Sequence, residues 1–190
     1  MDRRELLQWM VAASGLTAVN RLSAQDLLTL GRDAHRATAE DIGRMAVLDA
    51  QAANSVAIAA EHIIPASATP GAIQANVTAF IDTMLGGWYP PADRDRFLRG
   101  IAELDARSMA RFGQKFATGT PAQQIALLET SDAEVTAMRA TSDTAANDHW
   151  FAMLKYLTVW GYCTSEVGMR DTLHTYPMPM RYDGNALVDA

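Results

Sequence analysis

The sequence predicts an all-α fold, an irregular orthogonal bundle of about five or six helices with an N-terminal signal segment and an extended C-terminal tail. Apolar residues recur three, four or seven apart over long stretches, which lines one face of a helix. No run bounded by turn signals alternates with the period of two that a half-buried strand would show. Proline-containing loops separate the periodic stretches. At 190 residues and 49% hydrophobic side chains, the chain is long enough to bury the core of one domain and short for two.

At the N-terminus, Arg3-Arg4 is followed by Glu5-Leu6-Leu7-Gln8, an uncharged stretch from Trp9 to Asn20, and Leu22-Ser23-Ala24. This is similar to a twin-arginine export signal, although Asp2, Leu6 and Gln8 stand where Ser or Thr, Phe and Lys are usual. Residues 1–24 are therefore expected to be the signal, and Arg3 and Arg4 its recognition pair, with the periplasm as destination. Residues 25–37 are polar and mixed in charge around Gly31, and are expected to be a tether. Residues 38–190 are expected to be a single helical domain with an extended tail from 176. No later segment approaches the roughly 20 apolar residues of a membrane span.

From Thr38, the spacing of Ile42, Met45, Ala52, Val56, Ala59 and Ile63 predicts one long helix. Ile64-Pro65 ends it, because a residue before proline avoids the helical region. Pro65 to Gly71 reads as a loop, and Ile73, Val77, Phe80, Ile81 and Met84 as a short helix stopped at Gly86-Gly87. Trp88-Tyr89-Pro90-Pro91 is then a stiff turn presenting two aromatics. A third helix follows, with Phe97, Ile101, Leu104, Ser108, Phe112 and Phe116 on its stripe and Thr118-Gly119 as its end. Thr120-Pro121-Ala122-Gln123 is a capping box with proline at the first helical position, and it fixes the start of a fourth. Trp150, Phe151, Leu154, Leu157 and Trp160 form the most apolar stripe, which predicts a central fifth helix. Tyr162 to Gly168 can begin a short sixth. Pro177 and Pro179 keep residues 176–180 out of a helix.

The formal charge of -6 and the lack of any basic run argue against a nucleic-acid partner. One cysteine, Cys163, excludes an intrachain disulfide and a Cys-rich zinc site. His35, His62, His149 and His174 are never paired three or four apart, the spacing that puts two metal ligands on one helical face. Cys163, Met169, His174, Met178 and Met180 cluster in sequence and would suit a soft metal, but hydrophobic docking explains the methionines more simply. Glu166, His174, Tyr182 and Asp183 are the only candidates for acid/base work. Glu166 stands four before Arg170 and reads as an ion pair, and Tyr182-Asp183-Gly184 reads as a turn. The expectation is a chain with no catalytic, cofactor-binding or metal-binding residues of its own.

Several segments together resemble a known family. Ile63-Ile64-Pro65, Thr69-Pro70-Gly71-Ala72, Phe80-Ile81-Asp82, Lys155-Tyr156-Leu157-Thr158, Gly161-Tyr162-Cys163-Thr164-Ser165-Glu166-Val167-Gly168 and Tyr182-Asp183-Gly184 are similar, in order and spacing, to the gluconate 2-dehydrogenase subunit 3 family. Cys163 stands where the family often has Phe. The resemblance implies a small, non-catalytic subunit partnering a large flavoprotein of the glucose-methanol-choline oxidoreductase type, often with a c-type cytochrome as electron acceptor. FAD would sit on the partner, and membrane contact would come only through the signal segment or the cytochrome. A flavoprotein that folds around FAD before export needs the twin-arginine route, which a signal on the small subunit can supply. Trp88, Tyr89, Tyr162, Glu166, Tyr176, Met178, Met180, Tyr182 and Asp183 are the expected partner interface. The alternative is a free-standing periplasmic binding or chaperone module that uses the same aromatic tail on other clients, a soft metal being one candidate ligand.

Overall fold

A computed structural model describes residues 23–40 and 45–175 of the chain. Among the described residues every regular element is helical. The α-helices are α1 (Ala24–Glu40), α2 (Ala50–Ile63), α3 (Val77–Gly87), α4 (Pro91–Phe112), α5 (Pro121–Arg139), α6 (Asp143–Asn147) and α7 (Trp150–Thr164). A 3₁₀ turn at Phe116–Thr118 and a π turn at Gly168–Thr172 complete the set. None of these helices is long and apolar enough to cross a membrane. The expected signal, Arg3 and Arg4 included, and the expected tail from 176 lie outside the described residues.

Helix α7 is the centre, as its stripe predicts. Twelve of its 15 residues are buried, and it touches each of the other six α-helices. A helix apolar on all sides is stable only when neighbours cover all its sides. Trp160 and Tyr156 pack together in its middle, and the Phe80 ring of α3 meets Trp160 edge-on at 5.5 Å. The α5 capping box forms as predicted: Thr120 Oγ1 accepts from the Gln123 amide, and Gln123 Oε1 accepts from the Thr120 amide at 2.9 Å.

Three expectations are corrected. Residues 25–37 are not a tether; they lie in α1, which packs on α3 and α7. Ser23 and Asp26 cap its start reciprocally, and the two fully buried residues of its inner stripe of Leu27, Leu30, Gly31 and Ala34 are the small ones, Gly31 and Ala34. Gly31 is required there, since a Cβ would lie 2.6 Å from Thr164 Cγ2. The Trp160 indole N–H donates to Leu27 O at 3.0 Å, and His35 Nε2 pairs with Gly161 O at 2.8 Å.

The single helix expected from Thr38 to Ile63 is also interrupted. Residues 45–49 are not helical, and α2 begins only after Asp49, whose carboxylate caps Ala52 N at 2.7 Å. The buried carboxylate of Asp82 is the cause: it accepts from the amides of Ala46, Val47 and Leu48 at 2.7, 2.9 and 2.7 Å. Three bonds to one carboxylate outweigh the helical preference of the stretch they engage. Finally, α4 stops at Gly113 rather than at Thr118-Gly119, because Gly113 takes the left-handed conformation, φ 72°, that closes a helix. Phe116 still reaches the core, from the 3₁₀ turn.

Candidate docking site

The loop between α2 and α3 is held from both sides. Glu61, in the last turn of α2, accepts from the amides of Ala66 at 2.8 Å and Ile73 at 2.9 Å. Gly71 N donates to Gln74 Oε1, and Ala72 N donates to Ile64 O, both at 2.9 Å. The loop therefore has a network of satisfied donors in place of a regular ladder, and a loop so bonded keeps one shape. Among its exposed residues Ile73 is the large hydrophobic one, and its 55% exposure is the highest among the large hydrophobic side chains described. The sequence gives that residue no mark of its own, because its spacing from Val77 reads as helical.

The end of α7 closes the same corner. The Tyr162 hydroxyl lies 2.6 Å from Pro70 O, to which it donates, and 2.7 Å from Thr172 Oγ1 in the π turn. Ser165 turns the chain: its hydroxyl donates to Tyr162 O at 2.7 Å and accepts from Gly168 N at 2.9 Å. Gly168 must be glycine, since a Cβ there would collide with the Tyr162 carbonyl oxygen. Thr175 N donates to Met169 O at 2.9 Å, so the last described residue is fixed at this corner.

The expected interface residues separate. Trp88 is on the surface, 54% exposed. Tyr89 is not presented beside it: its ring packs on the core, its hydroxyl is enclosed without a hydrogen-bond partner, and burial pushes its pKa up. Tyr162 is fully buried, so its part is to hold the corner together from within. Glu166 is on the surface and makes the expected ion pair with Arg170 at 3.2 Å. Such an exposed pair is worth little by itself. Tyr176, Met178, Met180, Tyr182 and Asp183 lie outside the described residues.

Among the described residues, no three His, Cys, Asp or Glu side chains come together as a metal site. Cys163 is buried, and burial pushes its thiol up to about 12, which keeps it protonated and a poor metal ligand. Two carboxylates are spent on backbone amides, Glu61 at this corner and Asp82 ahead of the start of α2. The corner is held from within by Glu61, Tyr162 and Ser165, and it presents Ile73 and the Glu166–Arg170 pair on its surface.

The family model described as gluconate 2-dehydrogenase subunit 3 matches residues 50–180. The chain belongs to that family. Neither the curated proteins nor the solved structures contain a match to it. Membership of the gluconate 2-dehydrogenase subunit 3 family makes the chain a subunit of a dehydrogenase complex, associated with a larger dehydrogenase subunit. The segments that carry the resemblance have distinct physical tasks in this fold. Pro70 accepts from Tyr162, Asp82 gathers the chain ahead of α2, and Ser165 and Gly168 make the turn after α7. Glu61 was missed by sequence reasoning. Its signal is position: a carboxylate four residues ahead of Pro65, at the mouth of a loop whose amides need acceptors.

Proposed function

We propose that this chain is the small, non-catalytic subunit of a periplasmic, FAD-dependent dehydrogenase of the glucose-methanol-choline type that acts on a sugar or sugar acid. The flavin and the acid/base chemistry reside on the large subunit. The small chain supports the folding and stability of that subunit and carries it through the twin-arginine route, and a c-type cytochrome takes the electrons. The observation that carries this reading is the corner where the family segments meet. Its Glu61 carboxylate is engaged with backbone amides and its exposed large hydrophobic side chain is Ile73, an arrangement suited to docking a protein surface. The proposed interface comprises this loop, Trp88, Glu166 and the residues from Tyr176 to Asp183 that follow Thr175.

Two variants test the reading. Ile73→Asp alters an exposed side chain, so the isolated chain should melt within about 0.5 kcal/mol of wild type. The same variant should weaken association with the large subunit at least about tenfold. Replacing Arg3 and Arg4 together by lysine should leave both subunits in the cytoplasm, and undiminished periplasmic dehydrogenase activity in that strain would refute the carrier role.

A further inference from the structure

A groove of about 300 Å³ lies where the end of α2 meets α5 and α7, next to the loop described above. Ile63, Ile125, Leu128, Phe151 and Val159 make its apolar lining, and Ile125 is 42% exposed. Its polar residues are mostly committed to one another. His62 Nε2 pairs with Gln124 Oε1 at 2.8 Å, and Lys155 Nζ, 5.9 Å from the Phe151 ring centroid, donates to Asp132 at 2.9 Å. Glu129 on the rim pairs with no cation among the described residues. The groove is thus apolar within and carries one more negative than positive charge at its edge, on a chain whose formal net charge is -6.

This chemistry selects the occupant. A sugar or nucleotide needs several free, convergent hydrogen-bonding groups, and the polar side chains here other than Glu129 are already paired. The volume is at the small end of the range for ligand sites, about 300–1,000 Å³, and suits one or two inserted side chains. We infer that this groove receives a segment of the large subunit that inserts an apolar side chain over Leu128 and Phe151 and sets a lysine or arginine against Glu129. The inference rests on the subunit reading above and extends that interface from the loop onto α5 and α7. A cation at the rim adds to on-rate and partner choice, and the inserted side chain adds to residence time.

The test uses the full chain and the purified large flavoprotein subunit, comparing Glu129→Arg, Ile125→Asp and Ile73→Asp for binding at low and high salt. Glu129→Arg should weaken binding at least about tenfold at low salt, with the difference shrinking as salt rises. Ile125→Asp should weaken it by a similar factor at both salt levels. Both residues are exposed, so the melting midpoints should stay near wild type. If both groove variants bind as wild type while Ile73→Asp does not, the groove is unused and this inference falls, with the subunit reading intact. If the isolated chain is a dimer that Ile125→Asp dissolves, the groove belongs to a second copy and the inference falls as well. If wild-type chain and large subunit form no complex, the subunit reading itself fails.

Discussion

The Tyr162 hydroxyl and the Pro70 carbonyl oxygen lie 2.6 Å apart, joining the end of the central helix to a loop 92 residues earlier in the chain. The same hydroxyl meets Thr172 Oγ1, so one atom links α7, the α2–α3 loop and the π turn. Tyr162→Phe keeps the ring and removes both bonds. It should cost about 2 kcal/mol and lower the melting midpoint by roughly 4–8 °C. Hydrogen exchange should quicken at the amides of 71–73 and 168–175 while those of α4 stay as slow as before. A uniform rise across the chain would show that Tyr162 supports the whole core and not this corner.

Asp82 should be worth more than an average buried carboxylate. Asp82→Ala leaves the amides of Ala46, Val47 and Leu48 without their acceptor, which should cost at least about 3 kcal/mol, or roughly 6–12 °C in melting midpoint. Thermal unfolding followed by circular dichroism measures it. A loss below about 1 kcal/mol would mean that water or a shift of the backbone replaces the carboxylate readily.

The chain should lose stability in mild acid. Burial holds the His35 pKa below its ordinary 6.5, against the opposing pull of the Gly161 carbonyl. The unfolded chain therefore takes up the proton first, so this contribution is full above about pH 6.5 and is lost as pH falls toward the folded value. His149, also lowered chiefly by burial, with Glu134 opposing, acts in the same direction. His35→Gln retains a donor for Gly161 O and no titration. Between about pH 7.5 and about pH 5 its melting midpoint should fall less than that of wild type. Parallel curves for the two proteins would place the acid sensitivity elsewhere.

Cys163 reports on the opening of α7. Its thiol is buried and held protonated, so a thiol reagent near neutral pH should label the folded chain at least about a hundredfold more slowly than the unfolded one. Equal labelling rates would contradict its burial within the central helix.

Much of this was legible in the sequence where local chemistry decides the structure. The Thr120 box acts within four residues, and the α7 stripe is apolar enough to be buried in any packing. The misreadings have a common origin in distant contacts. A carboxylate 34 to 36 residues away keeps Ala46 to Leu48 out of a helix whose spacing looked continuous. The buried stripe of α1 includes Gly31 and Ala34, which composition does not mark as core. Tyr162 was expected at an interface because tyrosines anchor interfaces, yet its hydroxyl finds partners inside the fold. At the candidate site the sequence supplied the segments that meet, and only packing could reveal Glu61 as their clasp and Ile73 as their outward face.

The central claim, that this chain is a cofactor-free subunit docking a flavoprotein, is tested most directly by expressing an affinity-tagged chain with and without the large subunit and recording spectrum and activity. Alone, it should be purified colourless and inactive on sugars with a dye acceptor. Together, it should retain the large subunit, with a flavin spectrum and dehydrogenase activity that travel with the complex. A stoichiometric flavin on the chain alone, or a large subunit that never binds the tagged chain, would contradict the account.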